Sequence, residues 1–176
     1  MTLLVHICCG PCATATVDHL RDEGHDLRGF FFNPNIHPFL EFRRRLTGAR
    51  DLAADRGLEL VEDLQYDPAG WFAVVGSRGE ERCAACIGLR LRRTAALAAA
   101  EQCDAFTTSL AISPWQDHDA IQTGGRDAAA ECGVEFLYED LRPLYRASRR
   151  LAREIGLYRQ QYCGCLLSEW ERYRDA

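Results

Sequence analysis

Short apolar segments of strand length alternate with longer segments of helical periodicity along the 176-residue chain. The predicted strands cover residues 3–7, 26–33, 57–64, 104–113 and 134–140. The predicted helices cover residues 12–25, 39–56, 71–75, 86–102 and 118–133, followed by an arginine-rich helix that ends at residue 155. Consecutive parallel strands need a crossover, and a helix is the usual one. The alternation therefore predicts one α/β domain, with a mostly parallel sheet of about five strands and helices on both faces.

Glycine and proline mark where several of these segments end. Gly24 closes the first predicted helix, and Pro34 and Pro38 prevent the second strand from continuing. Two adjacent glycines, Gly124 and Gly125, weaken the middle of the helix over 118–133 and can break it in two.

Three polar or cysteine-containing segments follow predicted strands. They are CCGPC at 8–12, NPNIHP at 33–38 and SPWQDHD at 113–119. Ligands of open parallel sheets bind outside the carboxyl ends of the strands, so these segments are expected to lie together at one edge. The sequence therefore predicts a functional site there.

Nine cysteines are present, and seven of them fall into three groups. No apolar stretch has the length of a membrane span, and the start of the chain has no secretory leader, so we expect a cytoplasmic protein with no membrane partner. The cytoplasm keeps thiols reduced and an odd number cannot pair completely, which favours metal or redox chemistry over a disulfide framework. The grouped thiols are Cys8, Cys9, Cys12, Cys83, Cys86, Cys163 and Cys165. Cys103 and Cys132 stand alone and are predicted to be structural.

The first cysteine group lies where a strand turns into a helix. A helix amino terminus carries partial positive charge, which lowers the pKa of nearby thiols and favours the thiolate that a metal requires. Adjacent side chains such as Cys8 and Cys9 point in different directions in regular backbone, so two neighbouring sites are expected. Cys83 and Cys86 form a C-x-x-C pair at a helix start, a spacing that lets two sulfurs reach one metal or cluster.

Seven thiols exceed what one tetrahedral zinc ion or one [4Fe–4S] cluster needs. Structural zinc is the leading interpretation of the short pairs taken alone, and CGPC by itself resembles a thioredoxin-like redox pair. An all-sulfur set with spare ligands, drawn from three distant regions, is better suited to an iron–sulfur cluster with a second ion.

Charge is distributed unevenly along the chain. The formal net charge of −5 argues against a protein that coats nucleic acid through general positive charge, and no lysine is present. Residues 142–159 nevertheless contain six arginines and one acid, whereas residues 51–67 contain six acids and one arginine. The basic segment is either a solvated helix or a phosphate-binding surface.

Five sequence blocks together resemble the QueH family of epoxyqueuosine reductases. They are LLVHICCGPCATATVDHL, FFNPNIHPFLEFRRR, RCAACIGLRLRRTA, FTTSLAISPWQDHDAI and LYRQQYCGC, and the resemblance spans residues 3–168. It implies a single epoxyqueuosine reductase domain over 1–176, with a Rossmann-like (HUP-type) sheet and a C-terminal helical extension. Because CCGPCA occupies the place of the SGGxDS-type phosphate loop after the first strand, an ATP-using sulfur transferase on a similar sheet is the weaker alternative.

The resemblance also implies an activity and its cofactors. The enzyme would be an oxidoreductase that removes the epoxide oxygen from epoxyqueuosine at the anticodon wobble position of tRNA. It would use a [4Fe–4S] cluster, an additional iron ion and no cobalamin, with electrons from an unidentified donor. All seven grouped thiols are then expected to bind metal, with Cys9, Cys83 and Cys86 assigned to the cluster.

Proton donors and RNA contacts are expected in the loops after the strands. His118, between Asp117 and Asp119, is the first proton-donor candidate and Tyr162 the second, although Asp117 also suits a helix cap. Stacking, base-edge and phosphate contacts to the anticodon loop are predicted for seven further residues. These are Asn33, Asn35, His37, Glu41, Trp115, Arg149 and Arg150. Stabilisation of the turn is the alternative role for Asn33 and Asn35.

Overall fold

The computed structural model describes residues 1–175 and contains a five-stranded sheet in which every pairing is parallel. The strand order is β3-β2-β1-β4-β5. The strands are β1 (Thr2–His6), β2 (Asp26–Phe31), β3 (Glu59–Glu62), β4 (Ala105–Thr108) and β5 (Glu135–Phe136). The first strand is therefore central, and the order reverses beside it, which is where open α/β sheets bind ligands.

Helices cover both faces of the sheet. They are α1 (Gly10–Asp22), α2 (Phe39–Arg56), α3 (Pro68–Val75), α4 (Arg82–Ala100), α5 (His118–Cys132), α6 (Tyr145–Glu154) and α7 (Leu166–Tyr173). Leu3 and Val5 of β1 belong to a core shared with α1 and α2, whereas Leu4 belongs to a second core shared with α4 and α5. This alternation follows from the two-residue period of a strand. The predicted Rossmann-like α/β fold, including the C-terminal helical extension, is confirmed. Within residues 1–175 no helix is both long and apolar enough to span a bilayer.

The prediction that α5 can break at its glycines is wrong. A Cβ atom on Gly125 would lie 2.0 Å from Phe136 of β5, and one on Gly124 would lie 3.4 Å from the Cα atom of Gly88 in α4. Gly125 therefore lets α5 approach β5 more closely than a side chain would allow, whereas a Cβ atom on Gly124 would make an ordinary contact with α4. The packing of α5 against these neighbours compensates for the low helix propensity of both glycines.

Several element boundaries also differ from the predictions. The strand predicted over 104–113 ends at Thr108, because the hydroxyl of Thr108 accepts a hydrogen bond from the Leu110 N–H at 3.1 Å and starts a 3₁₀ turn. The helix predicted over 86–102 begins at Arg82, which brings both Cys83 and Cys86 into its first turns.

Candidate metal centre and substrate cavity

The thiols of Cys8, Cys9 and Cys12 form a compact triad at the start of α1. Their sulfur atoms all lie within 4.8 Å of one another, and those of Cys8 and Cys9 are 3.9 Å apart. The expectation that Cys8 and Cys9 point towards different sites is wrong. Cys9 is the extended residue that precedes α1, with φ −170° and ψ 160°, so the backbone is turning from strand to helix at this position.

Neighbouring hydrogen-bond donors and burial shift the pKa values of the three thiols of the triad in different directions. Hydrogen bonds from Cys12 and Cys9, with a further one from the Ser109 hydroxyl at 3.3 Å, lower the pKa of Cys8. Burial raises the pKa of Cys9, and donation to Cys8 raises that of Cys12. The Gln160 side-chain amide donates to the sulfur of Cys9 at 2.9 Å. Of the three thiols, Cys8 is consequently the one whose surroundings most favour the thiolate form.

The other four grouped thiols come from the start of α4 and from the segment before α7. The indole N–H of Trp71 lies 3.3 Å from the sulfur of Cys86, and burial raises the pKa of both Cys83 and Cys86. Cys83, Cys86 and Cys165 line one cavity of about 30 Å³. We refer to these three residues and Cys163 as the quartet.

Gly164 allows the sharp bend between the last two cysteines. Its φ is +146°, and a Cβ atom there would lie 3.0 Å from Asn35 Nδ2 and 3.2 Å from a terminal nitrogen of Arg45. A glycine at position 164 is therefore favoured both by the backbone conformation and by the tight packing of this segment against the loop after β2.

A buried ion pair on α2 anchors this segment. Arg45 donates to the Glu41 carboxylate at 2.8 Å, to the Cys163 carbonyl at 2.6 Å and to the Tyr162 carbonyl at 3.0 Å. The Tyr158 hydroxyl donates to the second carboxylate oxygen of Glu41 at 2.7 Å. The guanidinium group also lies over the Tyr162 ring, 5.2 Å from its centroid. Arg45 thus holds the third cysteine group against α2 through the backbone.

A second buried guanidinium, that of Arg90, faces the thiols from α4. It is 2% exposed and lines the 30 Å³ cavity with Cys83, Cys86 and Cys165. Burial disfavours its charge, but attraction to the sulfur atoms of Cys86, Cys163 and Cys8 outweighs burial, and the pKa of Arg90 is raised. Arg90 therefore stays charged, and anionic sulfur nearby would compensate its charge.

A larger cavity of about 520 Å³ opens onto both thiol groups. Cys12 of the triad and Cys163 of the quartet line it, together with Tyr162 and Gln160. Trp115, Arg149 and Arg172 line it as well. Its volume is in the range of small-molecule sites, so the arrangement can hold a nucleoside-sized ligand against sulfur-bound metal.

Comparison with known proteins identifies the family. The family model for epoxyqueuosine reductase QueH matches residues 3–171. The chain belongs to the QueH family. The protein named epoxyqueuosine reductase QueH from Dehalococcoides mccartyi is 41% identical over 171 residues, covering 97% of this chain and 94% of that protein. The protein of the same name from Thermotoga maritima is 33% identical, covering 97% of this chain and 92% of its own length. Since these relatives are named as reductases, the predicted enzyme class, an oxidoreductase, is confirmed.

Structural comparison agrees with the fold of this QueH family member. A solved structure described as a predicted subunit of tRNA methyltransferase from Methanocaldococcus jannaschii superposes with a TM-score of 0.54 at 13% identity. The match covers 89% of each chain. At this identity the likeness concerns the fold alone.

The four predicted RNA contacts from NPNIHP and α2 are all buried, with exposures of 1% for Asn33, 2% for Asn35, 2% for His37 and 5% for Glu41. Asn33 donates to the Ile7 carbonyl at 2.9 Å. Asn35 lines the small cavity, and His37 stacks against Phe72 with ring centroids 5.6 Å apart. The structure therefore places these side chains under the thiol segments and away from the surface, in contrast to the predicted role.

The remaining predicted residues divide between cavity and surface. Trp115, Arg149 and Tyr162 line the larger cavity, and Trp115 is 83% exposed. Arg150 is exposed instead and lies 3.5 Å from Glu154. His118 lies 2.9 Å from both the Tyr138 hydroxyl and the Ser113 carbonyl, so both ring nitrogens are engaged.

The Asp117 side chain caps α5 by accepting from the Ala120 N–H at 2.9 Å, and Asp119 is exposed in the first turn of α5. The capping alternative for Asp117 is confirmed. Cys103 and Cys132 pack with the core between α4, α5 and the sheet, as predicted.

Sequence reasoning missed Arg45, Arg90, Gln160 and Arg172. Arg45 and Arg90 lie inside the quoted blocks FFNPNIHPFLEFRRR and RCAACIGLRLRRTA, among other arginines. Their helical spacing from Glu41 and Cys86, four residues earlier in each case, is the available signal. That signal does not separate a buried arginine from an exposed one.

Proposed function

We propose that this protein reduces epoxyqueuosine to queuosine in the anticodon loop of tRNA, using an iron–sulfur cluster and an adjacent iron and no cobalamin. The family membership supports the reductase activity. The observation that carries the metal proposal is the 520 Å³ cavity that has one wall residue from the triad, Cys12, and one from the quartet, Cys163. Substrate in this cavity would contact both thiol groups at once.

The donor set fits iron bound by sulfur. A [4Fe–4S] cluster takes four thiolates, which is the number in the quartet, and the triad leaves a coordination position open for a ligand. The proposal assigns the cluster to the quartet and the lone iron to Cys8, Cys9 and Cys12. This assignment differs from the sequence-based prediction, which placed Cys9 on the cluster with Cys83 and Cys86. The reason is that the sulfur of Cys9 lies within 4.8 Å of those of Cys8 and Cys12.

The reaction converts an epoxide into an alkene and water, so it consumes two electrons and two protons. When bound, a centre of this kind supplies electrons singly and an electrophilic ion that stabilises charge on the leaving oxygen. The chain supplies the cavity, the Gln160 amide that orients Cys9, and the Tyr162 hydroxyl. Burial raises the pKa of Tyr162 to about 12, so the hydroxyl keeps its proton at neutral pH. The hydroxyl donates to the His37 carbonyl at 2.7 Å, and it would serve as the proposed proton donor to the cavity once that bond is exchanged for one to the substrate.

The rim of the cavity suits a single-stranded nucleic acid. Exposed aromatic rings bind splayed bases by stacking, and arginines bind the phosphates between them. Trp115 supplies the ring, and Arg149 and Arg172 supply cations that form no salt bridge within residues 1–175. The proposed orientation places the wobble nucleoside in the cavity, with the adjoining nucleotides along Trp115 and α6.

Oxygen-free purification and a conversion assay test the proposal. The protein is expected to be brown, to contain iron and sulfide, and to convert epoxyqueuosine in tRNA to queuosine with a chemical reductant. Cys86→Ala should lose iron and activity, whereas Cys132→Ala should keep both, because Cys132 packs in the core away from the thiol groups. A colourless, iron-free wild-type protein with full activity, or one with stoichiometric zinc, would contradict the proposal.

A further inference from the structure

Arg90 is a buried cation without a carboxylate partner. It is 2% exposed, and no Asp or Glu oxygen lies within 4.0 Å of its nitrogens within the part of the chain that the structure describes. Its Nε donates to the carbonyl of Cys86, one helical turn earlier, at 3.2 Å. The other buried arginine, Arg45, differs in that Glu41 compensates its charge at 2.8 Å.

An isolated buried charge is costly, and proteins compensate it with an opposite charge or with hydrogen bonds. The available anions around Arg90 are sulfur atoms. Its side chain lines the small cavity with Cys83, Cys86 and Cys165, and the charge of Cys8 of the triad also reaches it. A guanidinium stays charged at any physiological pH, so Arg90 is a permanent positive charge beside both thiol groups.

A positive charge close to a redox centre favours the state with the extra electron. Charges interact strongly in a dry interior because the effective dielectric constant is low. Hydrogen bonding, net charge and burial are the features by which a protein sets the potential of a sulfur-bound iron centre. Arg90 contributes a net positive charge from a buried position, and its hydrogen bond to the Cys86 carbonyl fixes where that charge lies.

We infer that Arg90 is the counter-charge of the thiolate-bound centre, a positioning residue that raises its reduction potential and helps the thiolates assemble it. The inference rests on the proposed iron–sulfur function. Arg90 need not touch the substrate, since its position is in the small cavity with Cys83 and Cys86. The expected consequence of neutralising it is a centre that is harder to reduce.

The test is a redox titration of the loaded, oxygen-free protein followed by electron paramagnetic resonance. Arg90→Gln and Arg90→Met both remove the charge, whereas Arg90→Lys keeps it. We expect the two neutral variants to lose at least about tenfold in the equilibrium constant for one-electron reduction, which is about 59 mV. Arg90→Lys should stay closer to wild type than either.

Arg92→Gln is the matched control, because Arg92 is exposed on the same helix, two residues away. It should leave the potential unchanged. Equal potentials in wild type and both neutral variants would overturn the inference, as would the same loss in Arg90→Lys as in the neutral variants.

Folding and loading are measured in parallel. Methionine tests whether the position tolerates an apolar side chain, since replacing a buried charge by an apolar group is often neutral for stability. If the neutral variants melt like wild type but fail to take up iron, and Arg90→Lys takes it up, the assembly role is supported. If all three variants unfold or fail to load alike, the position is only structural and the inference is rejected. A wild-type protein without iron would reject the proposed function, which is a separate result.

Discussion

Replacing Arg45 by methionine should destabilise the protein far more than replacing Arg50 by methionine, although both arginines lie on helix α2 and both pair with a glutamate. The Arg45–Glu41 pair has side-chain exposures of 3% and 6%. The Arg50–Glu62 pair has exposures of 51% and 21%, with a shortest contact of 2.6 Å. The two variants therefore compare a buried ion pair within α2 with a more exposed ion pair that joins α2 to β3.

The magnitudes follow from burial. Removing one partner of a buried pair costs about 3–5 kcal/mol, because the remaining charge loses its compensation. Arg45→Met also leaves the Tyr162 and Cys163 carbonyls without their guanidinium donor, which adds about 1 kcal/mol or more. An exposed pair contributes about 0–1 kcal/mol, which bounds the loss for Arg50→Met. The double variant Glu41→Leu with Arg45→Met should recover part of the loss, since no unpaired carboxylate remains.

Urea unfolding of the metal-free, reduced protein measures these differences, because bound metal would add its own binding free energy. The midpoint should fall markedly for Arg45→Met at an unchanged m-value. In the loaded protein the same variant should bind less iron, since the Cys163 segment has lost its anchor. A loss below about 1 kcal/mol, or one no larger than for Arg50→Met, would refute the argument from burial.

Three further outcomes are expected. Gly164→Ala should reduce iron content, because its φ is +146° and its Cβ atom would lie 3.0 Å from a neighbouring amide. Gly48→Ala, with open space at its Cβ position, should leave iron content unchanged, and equal iron content in both variants would contradict the prediction. Arg149→Ala with Arg150→Ala should flatten the salt dependence of tRNA affinity by about 1.4 in the log–log slope, at about 0.7 per phosphate, and an unchanged slope rejects the contact. Trp115→Ala should weaken tRNA binding by about 5- to 150-fold, the equivalent of one stacked base, with the slope unaltered; undiminished affinity would exclude stacking.

Local sequence patterns predicted much of the architecture. Helix α2 was predicted over 39–56, which are its bounds in the structure, because apolar spacing, the preceding prolines and Gly57 all mark it independently. The capping role of Asp117 could also be predicted from local sequence, since a cap depends on residues within one turn. The grouping of seven cysteines into three sets was also visible without any structure.

Predictions that depended on nonlocal packing failed. Gly124 and Gly125 were expected to weaken a helix, but the helix is continuous, and the ring of Phe136 in β5 occupies the place of a side chain at Gly125. His37 and Glu41 were expected at an RNA surface, but they lie beneath the cysteine segments. Propensity describes a residue in its own element, whereas these outcomes depend on what the other elements bring to it.

The amino-acid sequence by itself determined the α/β class and the three groups into which seven of the nine cysteines fall. Periodicity and turn chemistry are local, and parallel connectivity then leaves few arrangements of the strands. Only the tertiary structure decided that the thiols of Cys8, Cys9 and Cys12 lie within 4.8 Å of one another, that Cys83, Cys86 and Cys165 line one cavity, and that Arg45 and Arg90 are buried cations among many arginines. The physical reason is that desolvation and distance between charges depend on contacts between residues far apart in the chain, which no local pattern records.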